Sequence, residues 1–142
     1  MAASSTVKRI MDEYSGKIRL VIKEVPYGNR QYSVKAALAS LAAGDQGKYW
    51  EMHHLLFDRW QQFDDQSLVK NARDIGLDLE RFKESMKSKK HADALQRNLA
   101  LADELNVFMT PTYFINGKKY VDELTYRELK KIIDEELLHA KQ

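Results

Sequence analysis

The strongest constraint on the fold of this chain is the run Thr112-Tyr113-Phe114-Ile115-Asn116-Gly117-Lys118-Lys119-Tyr120-Val121. Asn-Gly between two β-prone segments is the clearest short-range signal for a tight antiparallel hairpin, because both central positions of the favoured turn need positive φ. Thr112–Ile115 and Lys119–Val121 are therefore expected to be paired strands. Almost everything before them reads as helix. A long helical block followed by a hairpin limits the chain to an α/β architecture with a small sheet.

Helical spacing places a first helix over Val7, Ile10, Met11 and Tyr14, with Ser4 or Ser5 as its cap. Gly16 ends it. Ile18–Val25 is rich in β-branched residues and stops at Pro26, which predicts a strand covered on both faces. From about Tyr32 to Asn106 the pattern is helical throughout. One segment ends near Gly44, and the next opens at Asp45 or Gly47 and carries Tyr49, Trp50, His53, Leu56, Phe57 and Trp60. Shorter helices follow around Gln66–Ile75 and Asp78–Lys89, punctuated by Gly76 and Asp78. A last one runs from about Ala92 to Leu105, with Leu95, Leu99, Ala102 and Leu105 as an inner stripe. Thr125-Tyr126-Arg127-Glu128 has capping-box spacing and opens a final helix.

The chain has 142 residues, 44% of them hydrophobic, 23 bases against 21 acids, and no cysteine. That length suits one domain. The near-balanced charge gives no push toward nucleic acid or a membrane surface. No apolar run approaches the roughly 18–20 residues of a membrane span. Met1–Ser5 lacks the apolar stretch of a secretory leader, so the chain as written reads as cytoplasmic, or as periplasmic if a leader has been removed. Without cysteine there are no disulfides and no thiolate metal ligands.

Four segments, taken in order, resemble the DsbA-like branch of the thioredoxin superfamily. They are Thr6–Tyr14, the Gly16–Val21 entry into a strand, Gly47-Lys48-Tyr49-Trp50-Glu51-Met52-His53, and Thr110–Gly117. The resemblance implies a thioredoxin-like fold over residues 1–142, with a helical insertion at about 30–106 and a cis bond before Pro111. It also implies that Met109, Thr110 and Pro111 form the loop that docks a peptide. Family members begin with a central strand and a Cys-x-x-Cys motif, and both are absent here. Thiolate attack on a disulfide needs a cysteine sulfur, so no catalytic residue and no enzyme activity are expected.

The missing N-terminal strand would lie between the counterparts of Ile18–Val25 and Thr112–Ile115. Its loss would leave rows of unpaired main-chain groups, each costing roughly 1–3 kcal/mol if buried. Repair could come from direct pairing of the flanking strands, from a second copy, or from a foreign strand. The homodimer through exposed strand edges is the preferred partner, with a peptide or protein as a further one. The alternative is a portion of a thiol-disulfide oxidoreductase whose Cys-x-x-Cys segment lies outside this chain. A transferase of glutathione type has no supporting residue.

Other candidate chemistry is weak. His53 and His54 point about 100° apart on a helix, so they do not converge on one metal ion. No metal or other cofactor is expected. Glu51, Asp58, Asp64, Asp65 and Asp74 sit on polar faces or at helix starts, where acids cap. The basic run Lys83, Lys87, Lys89, Lys90, His91 and Arg97 reads as a solvated helix face. Trp50, Trp60, Tyr49, Phe57 and Phe63 read as core, and Lys23 and Glu24 as polar groups at a strand end. The six glycines form no phosphate-cradling pattern, and no serine has a nucleophile-elbow context.

Overall fold

The computed structural model describes residues 2–26, 31–59 and 63–140. Among these described residues nine elements run in order: α1 (Ala2–Glu13), α2 (Gln31–Gly44), α3 (Tyr49–Asp58), α4 (Asp65–Asp74), α5 (Leu79–Met86), α6 (Lys89–Glu104), β1 (Tyr113–Ile115), β2 (Lys118–Tyr120) and α7 (Tyr126–His139). The chain divides into two compact units, one of Met1–Ile22 with Leu105–Gln142, the other of Lys23–Glu104. No helix among the described residues is long and apolar enough to cross a membrane.

The first unit is two helices and a hairpin around one apolar cluster. Ile10 and Tyr14 of α1 meet Leu129 and Ile133 of α7, and Ile18, Tyr113, Ile115 and Leu124 pack against them. Polar groups fasten the two helices at the edge. The Tyr14 hydroxyl donates to Asp134, and Lys130 donates to Glu13 at 2.7 Å. The Arg9 guanidinium lies 3.6 Å over the centre of the Tyr126 ring. The capping box forms as spaced: the Thr125 side chain accepts from the Glu128 amide, and the Glu128 carboxylate accepts from the Thr125 amide. Asn116 and Gly117 both hold positive φ, at 47° and 83°. Their hairpin is therefore the primed type that matches strand twist.

The second unit is the helical block. Ala39, Ala42 and Ala43 bring α2 close to its neighbours, and Met52, Leu56, Leu68, Ala72, Leu77 and Phe82 complete the core. Helix α4 ends at Gly76, whose φ of 75° suits only glycine without strain. The Gly76 amide reaches the Arg73 carbonyl and the Leu77 amide the Ala72 carbonyl. That is a Schellman stop, with Leu77 buried as its apolar anchor. Asp78 then caps α5, accepting from the amides of Glu80 and Arg81.

Three expectations need correction. Ile18–Val25 is not a strand: its residues alternate between part-buried (Ile18, Leu20, Ile22) and exposed (Arg19, Val21, Lys23), but no ladder forms along it. The side-chain pattern survives because Ile18 packs on the α1/α7 cluster. The ladder does not, because a strand exists only with a partner backbone beside it. The second correction is at the start, where Ser4 and Ser5 lie inside α1 rather than capping it. Alanine, the best helix former, extends the helix back to Ala2. Third, Trp50 and Phe57 are exposed rather than core, and Leu105 leaves the α6 stripe. Trp60 lies outside the described residues.

Candidate functional site

The loop leading into β1 is tied down at both ends. Asn106 takes φ 52°, which turns the chain out of helix. The Lys119 ammonium donates to the carbonyls of Leu105 and Asn106 at 2.8 and 2.6 Å. At the other end the Thr112 hydroxyl donates to the Met109 carbonyl at 2.7 Å. Between these two ties the Thr110–Pro111 bond is cis. The loop presents Phe108 and Met109 to solvent at 79% and 50% exposure. Met109, Thr110 and Pro111, the residues assigned to peptide docking, thus share one pinned loop.

Beside it lies an open sheet edge. The register pairs Tyr113 with Tyr120, Phe114 with Lys119 and Ile115 with Lys118. In a two-residue hairpin the residues flanking the turn form a hydrogen-bonded pair, and pairs alternate from there. Tyr113 and Ile115 therefore bond to β2, whereas the Phe114 N–H and C=O point away from it. Among the described residues the sheet has two strands, so no third strand pairs along that edge. Phe114 is 43% exposed.

Two further clusters lie in the helical block. In the first, the Tyr49 hydroxyl donates to the Glu24 carboxylate at 2.6 Å. Burial pushes the Glu24 carboxyl up, against the pull of Tyr49. Burial and then Glu24 push the Tyr49 phenol up. The His53 ring follows, 5.7 Å from that of Tyr49 and 4.9 Å from that of Phe57. Its Nδ1 is buried without a partner. Burial first, then His54, pulls His53 down to about 4. The unfolded histidine takes its proton near pH 6.5, so the unfolded state gains protons first as pH falls. Stability should be complete above pH 6.5 and decline from there to about 4. Urea midpoints across that window should flatten in His53→Phe. An unchanged slope would mean another group carries it.

The second cluster was invisible in the sequence, where Asp45 read as a helix start and His91 as part of a basic run. His91 is buried at 4% exposure. Its Nε2 lies 2.7 Å from the Asp45 carboxylate and 3.0 Å from the Ser85 hydroxyl. Ser85 donates to Asp45 at 2.6 Å, and Lys90 donates to its other oxygen at 2.7 Å. Lys90, Ser85 and His91, in that order, hold the Asp45 carboxyl well below the usual carboxylate range. Serine, histidine and aspartate together invite a hydrolytic reading. A working triad, however, gives the acid one imidazole nitrogen and the serine the other. Here one nitrogen faces both, and the serine proton already belongs to the acid. The cluster therefore fastens the end of α2 to α5 and α6. It borders an open cavity of about 330 Å³ lined by Gln46, Arg81, Glu84 and Ser88. The sequence signal lay only in residue type, since 40 and 46 residues separate the partners.

The remaining candidates fall into structural roles. Asp64 caps α4, Asp65 pairs with Lys35, Asp74 with Arg59 and Glu51 with Lys48. In the basic run, Lys83 is tied to Glu80 and Lys89 to Asp93. Among the described residues no three His, Cys, Asp or Glu side chains gather as metal ligands.

Comparison with known proteins places this geometry. A family model described as Thioredoxin matches residues 2–135. The Na(+)/H(+) antiporter NhaA 3 of Salinispora tropica is 32% identical over 119 residues, which is 83% of this chain and 18% of that protein. NhaA 1 of Salinispora arenicola is 34% identical over 119 residues, with the same two shares. The chain thus spans less than a fifth of the length of these relatives. Among solved structures, the thiol-disulfide exchange protein alpha-DsbA2 from Wolbachia pipientis is 28% identical at TM-score 0.85, over 94% of this chain and 73% of that one. A thioredoxin-like oxidoreductase from Silicibacter pomeroyi is 25% identical at TM-score 0.77, over 94% and 76%. This helix-rich chain with its two-stranded sheet and no cysteine belongs to the thioredoxin family, in its DsbA-like branch.

Proposed function

We propose that this chain works by binding, not by thiol-disulfide exchange. It is a redox-inactive DsbA-like protein that accepts an extended chain along open strand edges. A second copy is the first partner, and the Met109–Pro111 loop is a dock for a peptide or protein. One observation carries the reading: the outward N–H and C=O of Phe114 have no partner strand among the described residues. Such an edge is a template for another backbone. Light scattering over a concentration series is the test. A mass near twice 16.5 kDa is expected. Thiol oxidation or disulfide reduction by this chain would overturn the reading.

A second reading has support in the solved relatives, of which this chain covers 73% and 76%. In it, the chain is a portion of a thiol-disulfide oxidoreductase whose Cys-x-x-Cys segment lies outside it. The N-terminal mass of the native protein separates the two. A longer native chain carrying Cys-x-x-Cys would replace the binding reading.

A further inference from the structure

We infer that the chain at the open edge is a second copy paired antiparallel, β1 to β1, about a two-fold axis at Phe114. This rests on the binding reading above and specifies its partner residue by residue. Three stretches of backbone are candidates for pairing, and charge separates them. The outer edge of β2 carries Lys118 and Lys119. Lysine on an edge strand is the usual device against unwanted pairing. The stretch Ile18–Ile22, outside any helix or strand, is flanked by Lys17 and bears Arg19. Laid against its own copy, it brings cations opposite or next to cations, which is unfavourable.

The edge of β1 carries no such guard. Thr112–Asn116 contains no charged residue, and exposed Phe108 and Met109 lie just upstream in the chain. Pairing about Phe114 gives a self-complementary register. Phe114 stands opposite the partner's Phe114, and the two exchange N–H···O=C bonds in both directions. Tyr113 stands opposite the partner's Ile115, and the symmetric pair repeats on the other side of the axis. Aromatic–aromatic and aromatic–β-branched pairs are among the most favourable cross-strand contacts. The product is a four-stranded sheet in the order β2-β1-β1-β2. Its two exposed phenylalanine faces leave solvent together. Because each β1 has only three ladder residues, the dimer should dissociate on dilution.

The test compares the wild-type chain with Phe114→Pro, Phe114→Lys and Val21→Lys by light scattering, with far-UV circular dichroism as the check on folding. Phe114→Pro removes the outward N–H together with the phenyl ring but spares the ladder to β2, which runs through Tyr113 and Ile115, and proline is tolerated on such an edge. Both Phe114 variants should show a twofold drop in mass at concentrations where wild type is dimeric. Val21→Lys, on the other open stretch, should stay dimeric. If Phe114→Pro does not fold, Phe114→Lys decides alone. Dimers that survive at Phe114 but fall apart in Val21→Lys would overturn the inference and leave the binding reading standing. A wild-type chain that is monomeric throughout would overturn both the inference and the homodimer.

Discussion

Replacing Phe82 by alanine should remove about 3–5 kcal/mol of stability, the range seen when a large aromatic is truncated in a closed core. Phe82 is fully buried and is the single buried residue of α5. That helix packs on α2 and α4, and this ring is the fully buried part of that contact, with Leu79 and Met86 partly buried against the same core. Asp78 caps the helix and Lys83 pairs with Glu80. These surface features contribute tenths of a kcal/mol to about one, too little to hold an eight-residue helix alone. A loss of this size is a large fraction of the roughly 5–15 kcal/mol by which domains are stable. Urea unfolding followed by far-UV circular dichroism should show a much lower midpoint for Phe82→Ala and a smaller fall for Phe82→Leu. A loss below about 1 kcal/mol would mean the site collapses around the void.

The Asp45 cluster should give the second-largest effect and a distinctive pH signature. Asp45→Ala strands the buried His91 and the Ser85 hydroxyl without their acceptor, at about 1–3 kcal/mol for the unsatisfied groups. Asp45→Asn is the sharper probe, because it keeps an oxygen and loses the charge. In the folded chain Lys90, Ser85 and His91 keep the Asp45 carboxyl ionised to low pH. An unfolded aspartate takes up its proton near pH 3.9. Acidification therefore protonates the unfolded state first, and the contribution of this carboxylate is complete above about pH 5 and lost as pH falls. The difference in urea midpoint between wild type and Asp45→Asn should be widest at pH 7 and shrink by pH 3. A difference that stays constant with pH would show that shape, not charge, is what Asp45 supplies.

The features legible in the sequence were those whose cause is local. Asn116-Gly117 specifies its own turn, Thr125 and Glu128 complete each other three residues apart, and Gly76 with Asp78 marks a stop and a start. Each depends on backbone groups within a few residues of the side chain. The Ile18–Val25 segment fails as a strand for the opposite reason. Its alternation is written in its own residues, but its ladder belongs to a neighbour. The exposure of Trp50 and Phe57 is not legible in the sequence, because helical spacing says which residues share a face and not what covers it. The Asp45–Ser85–His91 cluster needed three helices in place before its parts could meet. Of the candidate site, the order of residues in the Met109–Pro111 loop was visible. The direction of the Phe114 main-chain groups was not, since it follows from the register of the finished hairpin.

The run of small residues in α2 has a consequence for how the helical block comes apart. Ala39, Ala42 and Ala43 are completely buried, and α2 alone touches α3, α4, α5 and α6. The other helices could in principle detach one at a time, each exposing one flank of the rest. Helix α2 cannot leave without baring its neighbours together. Its amides should therefore be the last in the block to meet solvent, released only in openings that carry the free energy of the whole unit. An enlarged side chain at any of those alanines would press into a core already closed around it, which makes this a segment with little freedom to drift as the sequence evolves.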